Sequence, residues 1–114
     1  MDDLEGFLRD RLDEDERVAR TARPAYFSIE ALGVFSAVGD MAHVVRWNPA
    51  RVLAEVEAKR RILDEHYPVD TGDRISCASC GEIHCCPEPW PCLTACLLAL
   101  PYADRPGYRP EWKP

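Results

Sequence analysis

The sequence predicts an α+β fold in a single domain over residues 1–114: two long antiparallel helices, a β-hairpin packed against them, and a C-terminal cysteine knuckle leading into a short helix. Three observations carry that expectation. Apolar residues recur at three- and four-residue steps over 1–22 and 49–66, two short aromatic and β-branched runs lie between 25 and 39, and all six cysteines fall between Cys77 and Cys96.

In the first segment Leu4, Phe7, Leu8, Leu12, Val18, Ala19 and Ala22 gather on one helical stripe. Glu5 with Arg9, Asp13 with Arg17 and Glu16 with Arg20 stand four apart with the acid first, an order worth a few tenths of a kcal/mol per pair, roughly. Asp2 and Asp3 suit a helix start, where the dipole favours negative charge. The charged side reads as a solvated face.

Pro24 closes this helix. Tyr26-Phe27-Ser28-Ile29-Glu30 and Val34-Phe35-Ser36-Ala37-Val38, with Gly33 between them, read as a β-hairpin over 25–39 that ends at Gly39-Asp40. Met41 to Trp47 fits either a short helix or irregular chain. Asn48-Pro49 is a helix start, because Asn caps a first turn and Pro is pre-set for the first helical position. The second long helix follows over 49–66, with Val52, Leu53, Val56 and Leu63 on its buried side and Ile62 at the margin. Glu55 with Lys59 and Glu57 with Arg61 lace its exposed side. Lys59-Arg60-Arg61, set among acids, reads as solvated surface rather than a phosphate contact, and Pro68 to Arg74 reads as a polar connector.

The cysteine segment carries the chemistry. Cys77-Ala78-Ser79-Cys80-Gly81 is a CxxC followed by Gly, the knuckle geometry in which two thiolates and the turn amides face one metal ion. A thioredoxin-type dithiol needs a βαβ setting that is not visible here, and the acidic start, Met1-Asp2-Asp3-Leu4-Glu5, lacks the basic, apolar character of a signal peptide. A cytoplasmic chain disfavours structural disulfides, so zinc is the expected occupant. Seven candidates surround it: Cys77, Cys80, His84, Cys85, Cys86, Cys92 and Cys96. Adjacent Cys85 and Cys86 cannot both reach one ion without strain. Cys92, at the start of the last helix and after Trp90-Pro91, is a good third ligand. The expected set is therefore Cys77, Cys80, Cys92 and one of Cys85, Cys86 or His84, with Cys85 preferred on loop length. Cys96 lies with Leu93, Leu97 and Leu100 on the apolar stripe of the last helix and is assigned to core packing. Pro101 limits that helix, and Tyr102, Tyr108 and Trp112 favour a packed arm over a frayed tail.

Composition bounds the function. At 114 residues, a formal charge of -6 and a pI near 5.0, the chain is poorly suited to counterion-release binding of nucleic acid or an anionic membrane. No catalytic constellation stands out. Glu82 and Glu88 read as loop surface, a His84-Cys85 nucleophile lacks an orienting third group, and His43 and His66 read as lone surface histidines.

The helix from Asn48 to Leu63, NPARVLAEVEAKRRIL, resembles the hallmark helix of a small-protein family of unknown function found in actinobacteria and their phages. The opening Met1 to Arg20 segment is similar to that family's first segment. The closing residues Trp90-Pro91-Cys92-Leu93-Thr94, Leu97 to Asp104, Tyr108 and Glu111-Trp112 are similar to its end. The resemblance implies intracellular residence and a phage or mobile-element origin, without an activity. It also implies a basic residue at the position of Cys96, which keeps Cys96 outside the metal set. The leading expectation is a zinc-stabilised protein-interaction module without catalysis, with a protein partner. A nucleic-acid-binding zinc protein or acidic DNA mimic, and a thiol redox protein, are the alternatives.

Overall fold

The computed structural model describes residues 3–22, 38–80 and 89–114. Helix α1 spans Leu4–Thr21, α2 Val38–Arg46 and α3 Pro49–Glu65; strands β1 (Pro68–Asp70) and β2 (Ile75–Cys77) follow, then α4 (Leu93–Ala99) and short 3-10 turns at Leu100–Tyr102 and Pro110–Trp112. The α+β class stands: helices, a two-stranded antiparallel hairpin, and a Cys/His cluster followed by a short helix. The chain gathers into two compact units, Met1–Leu12 with Lys59–Pro114, and Asp13–Ala58.

In the first unit the core forms where the stripe of α1 meets the C-terminal segment. Leu4, Phe7, Leu8, Leu12, Leu63, Ala95, Ala99, Tyr102 and Trp112 are all buried. Phe7, Tyr108 and Trp112 make a three-ring cluster with centroids 5.3 to 5.9 Å apart, within the range for favourable edge and tilted packing. Asp3 pairs with Arg109 at 2.8 Å and Arg9 with Asp64 at 3.2 Å. Both pairs are exposed, so they fix orientation more than they stabilise. The final segment is thus a packed arm. Gly107 turns it at φ +94, and a Cβ there would lie 3.6 Å from Phe7 Cδ2.

The second unit turns on Asn48. Its Oδ1 accepts from the Arg51 amide at 3.0 Å, the expected N-cap of α3, while its Nδ2 donates to the Val45 carbonyl at 2.9 Å and so ties the end of α2 to that cap. The Arg51 guanidinium stacks 4.0 Å over the Trp47 ring. Val56 and Ala19 are buried.

Four features depart from the sequence reading. The hairpin expected over 25–39 falls mostly on 23–37, outside the described residues, but Val38, Gly39 and Asp40 open α2 rather than ending a strand. That helix continues to Arg46 and so resolves the ambiguity of Met41–Trp47 in favour of a short helix. The 68–74 connector is instead half of the hairpin β1-β2. Val18 is 65% exposed although it continues the α1 stripe. In α4 the buried side is Ala95, Cys96 and Ala99, whereas Leu93, Leu97 and Leu100 face outward.

Trp112 is 1% exposed at the centre of the aromatic cluster. Trp112→Ala is expected to lower unfolding free energy by about 3–5 kcal/mol in a denaturant titration.

Candidate metal centre

The centre is built by the hairpin. Pro68 pairs with Cys77, Val69 with Ser76 and Asp70 with Ile75, and the Ala78 amide donating to the Tyr67 carbonyl at 2.9 Å carries the pairing one step further. Two positions beyond the last strand pair, His66 therefore lies across from the CxxC turn at residues 78–80. The reversal at 71–74 has local causes. Gly72 takes φ +99, the Asp70 carboxylate accepts from the Gly72 amide at 2.9 Å, and the Thr71 amide donates to the Arg74 carbonyl at 3.0 Å. On the other edge of β2, Ser76 bridges to Pro89 and the Trp90 amide donates to the Ile75 carbonyl at 3.0 Å. That pairing delivers Cys92, the residue that begins α4.

His66 Nδ1 lies 3.5 Å from the Sγ of Cys77 and 3.7 Å from those of Cys80 and Cys92. All four ligand atoms fall within 4.8 Å of one another. A tetrahedral ion with metal–sulfur and metal–nitrogen bonds of ~2.3 and ~2.05 Å separates its S and N ligands by about 3.6 Å, so the three distances match the edges of such a tetrahedron. Cys77 and Cys92 are buried, and His66 and Cys80 are partly exposed. Burial pushes the Cys92 thiol above its ordinary pKa, against the backbone hydrogen bond of Ala95, and neighbouring Cys77 adds to the rise. A divalent cation among these sulfurs supplies the opposing charge that thiolates need. Among the described residues, Cys77, Cys80, Cys92 and His66 could thus hold a metal ion.

Three of the four expected ligands are brought together. The fourth, Cys85, lies outside the described residues with its alternatives His84 and Cys86, as do Glu82 and Glu88. His66, read as a lone surface residue, is the member of the cluster that the sequence reading missed. The signal was Asp70-Thr71-Gly72-Asp73 between Pro68-Val69 and Ile75-Ser76, a turn sequence between two short β segments. Cys96 stays outside the cluster, buried on α4 with its Sγ 3.9 Å from the Pro91 carbonyl. His43 is exposed beside Trp47. Lys59 of the basic triplet sits 5.8 Å from the Tyr102 ring centroid.

Comparison with known proteins places the whole chain, residues 1–114, under the family of unknown function DUF6221. The chain belongs to that family. No curated protein and no solved structure matches this DUF6221 member. Among the described residues no helix is long and apolar enough to cross a membrane.

The turn that sets the His66 register generates a paired prediction. An added Cβ meets nothing within 4 Å at either Gly72 or Gly6, so only the backbone distinguishes them. Gly72→Ala, at a left-handed position, is expected to destabilise by about 1 kcal/mol, and Gly6→Ala, inside α1, to stabilise by roughly 0.5–1 kcal/mol, both read from denaturant midpoints.

Proposed function

We propose that the cluster is a structural zinc centre and that the protein is a zinc-stabilised interaction module acting without catalysis. The observation that carries the metal reading is the set of three Nδ1–Sγ distances, 3.5, 3.7 and 3.7 Å, around one ring nitrogen. Three sulfurs and one imidazole in tetrahedral spacing suit Zn²⁺ over oxygen-seeking cations. Four protein ligands leave no open position for a substrate or an activated water, which supports a structural over a catalytic role. Such a site contributes on the order of 10 kcal/mol apparent at neutral pH, comparable with the whole stability of a small domain.

The partner class follows from charge. Three thiolates and one divalent ion add a further −1 to the formal charge of -6, which disfavours a phosphate backbone and supports a protein partner. The resemblance of the Asn48–Leu63 helix implies a phage or mobile-element connection and a cytoplasmic setting.

Single substitutions with metal analysis and thermal unfolding test the ligand set. Cys80→Ser and His66→Ala are expected to abolish stoichiometric zinc and to lower stability sharply, while Cys85→Ser keeps both. A His66→Ala chain that retains its zinc while Cys85→Ser loses it would move the fourth position to Cys85. A Cys80→Ser chain that keeps both metal and stability would end the zinc assignment. Affinity capture with the zinc-loaded chain is expected to return a protein whose binding is lost after chelation, and salt-sensitive retention of DNA instead would favour a nucleic-acid role.

A further inference from the structure

We propose, resting on the zinc reading above, that Cys80 is the oxidant-entry point of this centre and that peroxide converts the metal site into a Cys77–Cys80 disulfide. The three sulfurs of the cluster are not equally placed. Cys77 is 1% exposed and ends the hydrogen-bonded strand β2, and Cys92 is 0% exposed at the start of α4. Cys80 is partly exposed and sits beyond β2, in the turn at 78–80. Of the three cysteines Cys80 is thus the one with solvent access, and an oxidant arriving from solvent reaches it before the other two. Its sulfur also lies within 4.8 Å of the other ligand atoms, so a second thiolate is already at hand.

The chemistry balances with hydrogen peroxide as the named oxidant. The Cys80 thiolate attacks one peroxide oxygen, the O–O bond breaks, an S–O bond forms, and hydroxide leaves. The Cys77 thiolate then attacks the Cys80 sulfur, forming the S–S bond and expelling the second hydroxide. Two thiolates give up two electrons, peroxide accepts two, and the two hydroxides released are protonated by the buffer acid. Cys77 is favoured over Cys92 as the resolving partner because only two residues separate it from Cys80, so ring closure orders little chain. His66 and Cys92 alone are two ligands, too few for a tetrahedral structural site, and the ion is released. The centre that ties the hairpin to α4 thereby opens under oxidation and closes again with a dithiol and zinc.

The test uses the full chain, with zinc content measured before any oxidant is added. Graded hydrogen peroxide is followed by a chromogenic chelator for released zinc, a sulfenic-acid trap, and peptide mapping of the disulfide. About one zinc is expected per peroxide consumed, with first trapping on Cys80, a Cys77–Cys80 bridge, and recovery on adding dithiol and zinc. The Cys85→Ser/Cys86→Ser chain is expected to behave identically. Cys80→His keeps a ligand at that position and is expected to hold zinc while losing it at least about tenfold more slowly to peroxide. First trapping on Cys77 or Cys92, a bridge to any other cysteine, or zinc retained through oxidation overturns this inference and leaves the metal reading intact. A chain that holds no zinc before oxidant overturns both.

Discussion

The pairing of Pro68 with Cys77 is the constraint on which the C-terminal half depends. It fixes which residue faces the CxxC turn, and a slip of one position would send Cys77 to the opposite face of the ribbon. The strands are three residues each and α4 is seven, lengths at which neither a hairpin nor a helix is stable by itself. Their arrangement needs a tie. A metal ion held by the cluster would supply it, because one of the four residues follows α3, one closes β2, one lies in the turn and one caps α4. An ion there would link four elements at a single point.

A second, independent tie joins α1 to the end of the chain. Phe7 is enclosed by Tyr108 and Trp112, and Arg11 lies 5.3 Å from its ring centroid, so the arm is held by apolar area and ring geometry rather than by metal. Between the two ties runs α4, whose inner face is Ala95, Cys96 and Ala99. Alanines bury little area each, and the largest fully buried apolar side chains of this unit are Trp112, Leu4, Leu8, Leu12 and Leu63.

Helices α1 and α3 and the CxxC turn were legible in the sequence for local reasons. Asn48-Pro49 specifies a cap and a first turn within two residues, and CxxC-Gly specifies a metal-facing turn within five, so neither needs knowledge of distant contacts. His66 was not legible in that way. Its role is set by a register between segments ten residues apart, and nothing in its immediate neighbours distinguishes it from a surface histidine. The orientation of α4 failed for a related reason. Its periodicity offers two faces, one of leucines and one of alanines and cysteine, and hydrophobicity favours the former. The buried face, Ala95, Cys96 and Ala99, lies three, four and seven residues after Cys92 and so shares the helical side of the cysteine whose sulfur joins the cluster.

An imidazole as fourth ligand would have an electrostatic consequence. Four thiolates around a divalent ion leave a formal −2 in the site, whereas three thiolates and a neutral imidazole leave −1. Cys77 and Cys92 are almost wholly removed from solvent, and the desolvation that raises the Cys92 thiol would penalise the larger charge more. The chain already carries -6, so the smaller increment also limits repulsion with its acidic surface. Cys77 and Cys92 are buried, and the remaining exposure is carried by His66 and by Cys80. The same division that would make a metal centre tolerable in a small acidic protein leaves one of its cysteines partly exposed.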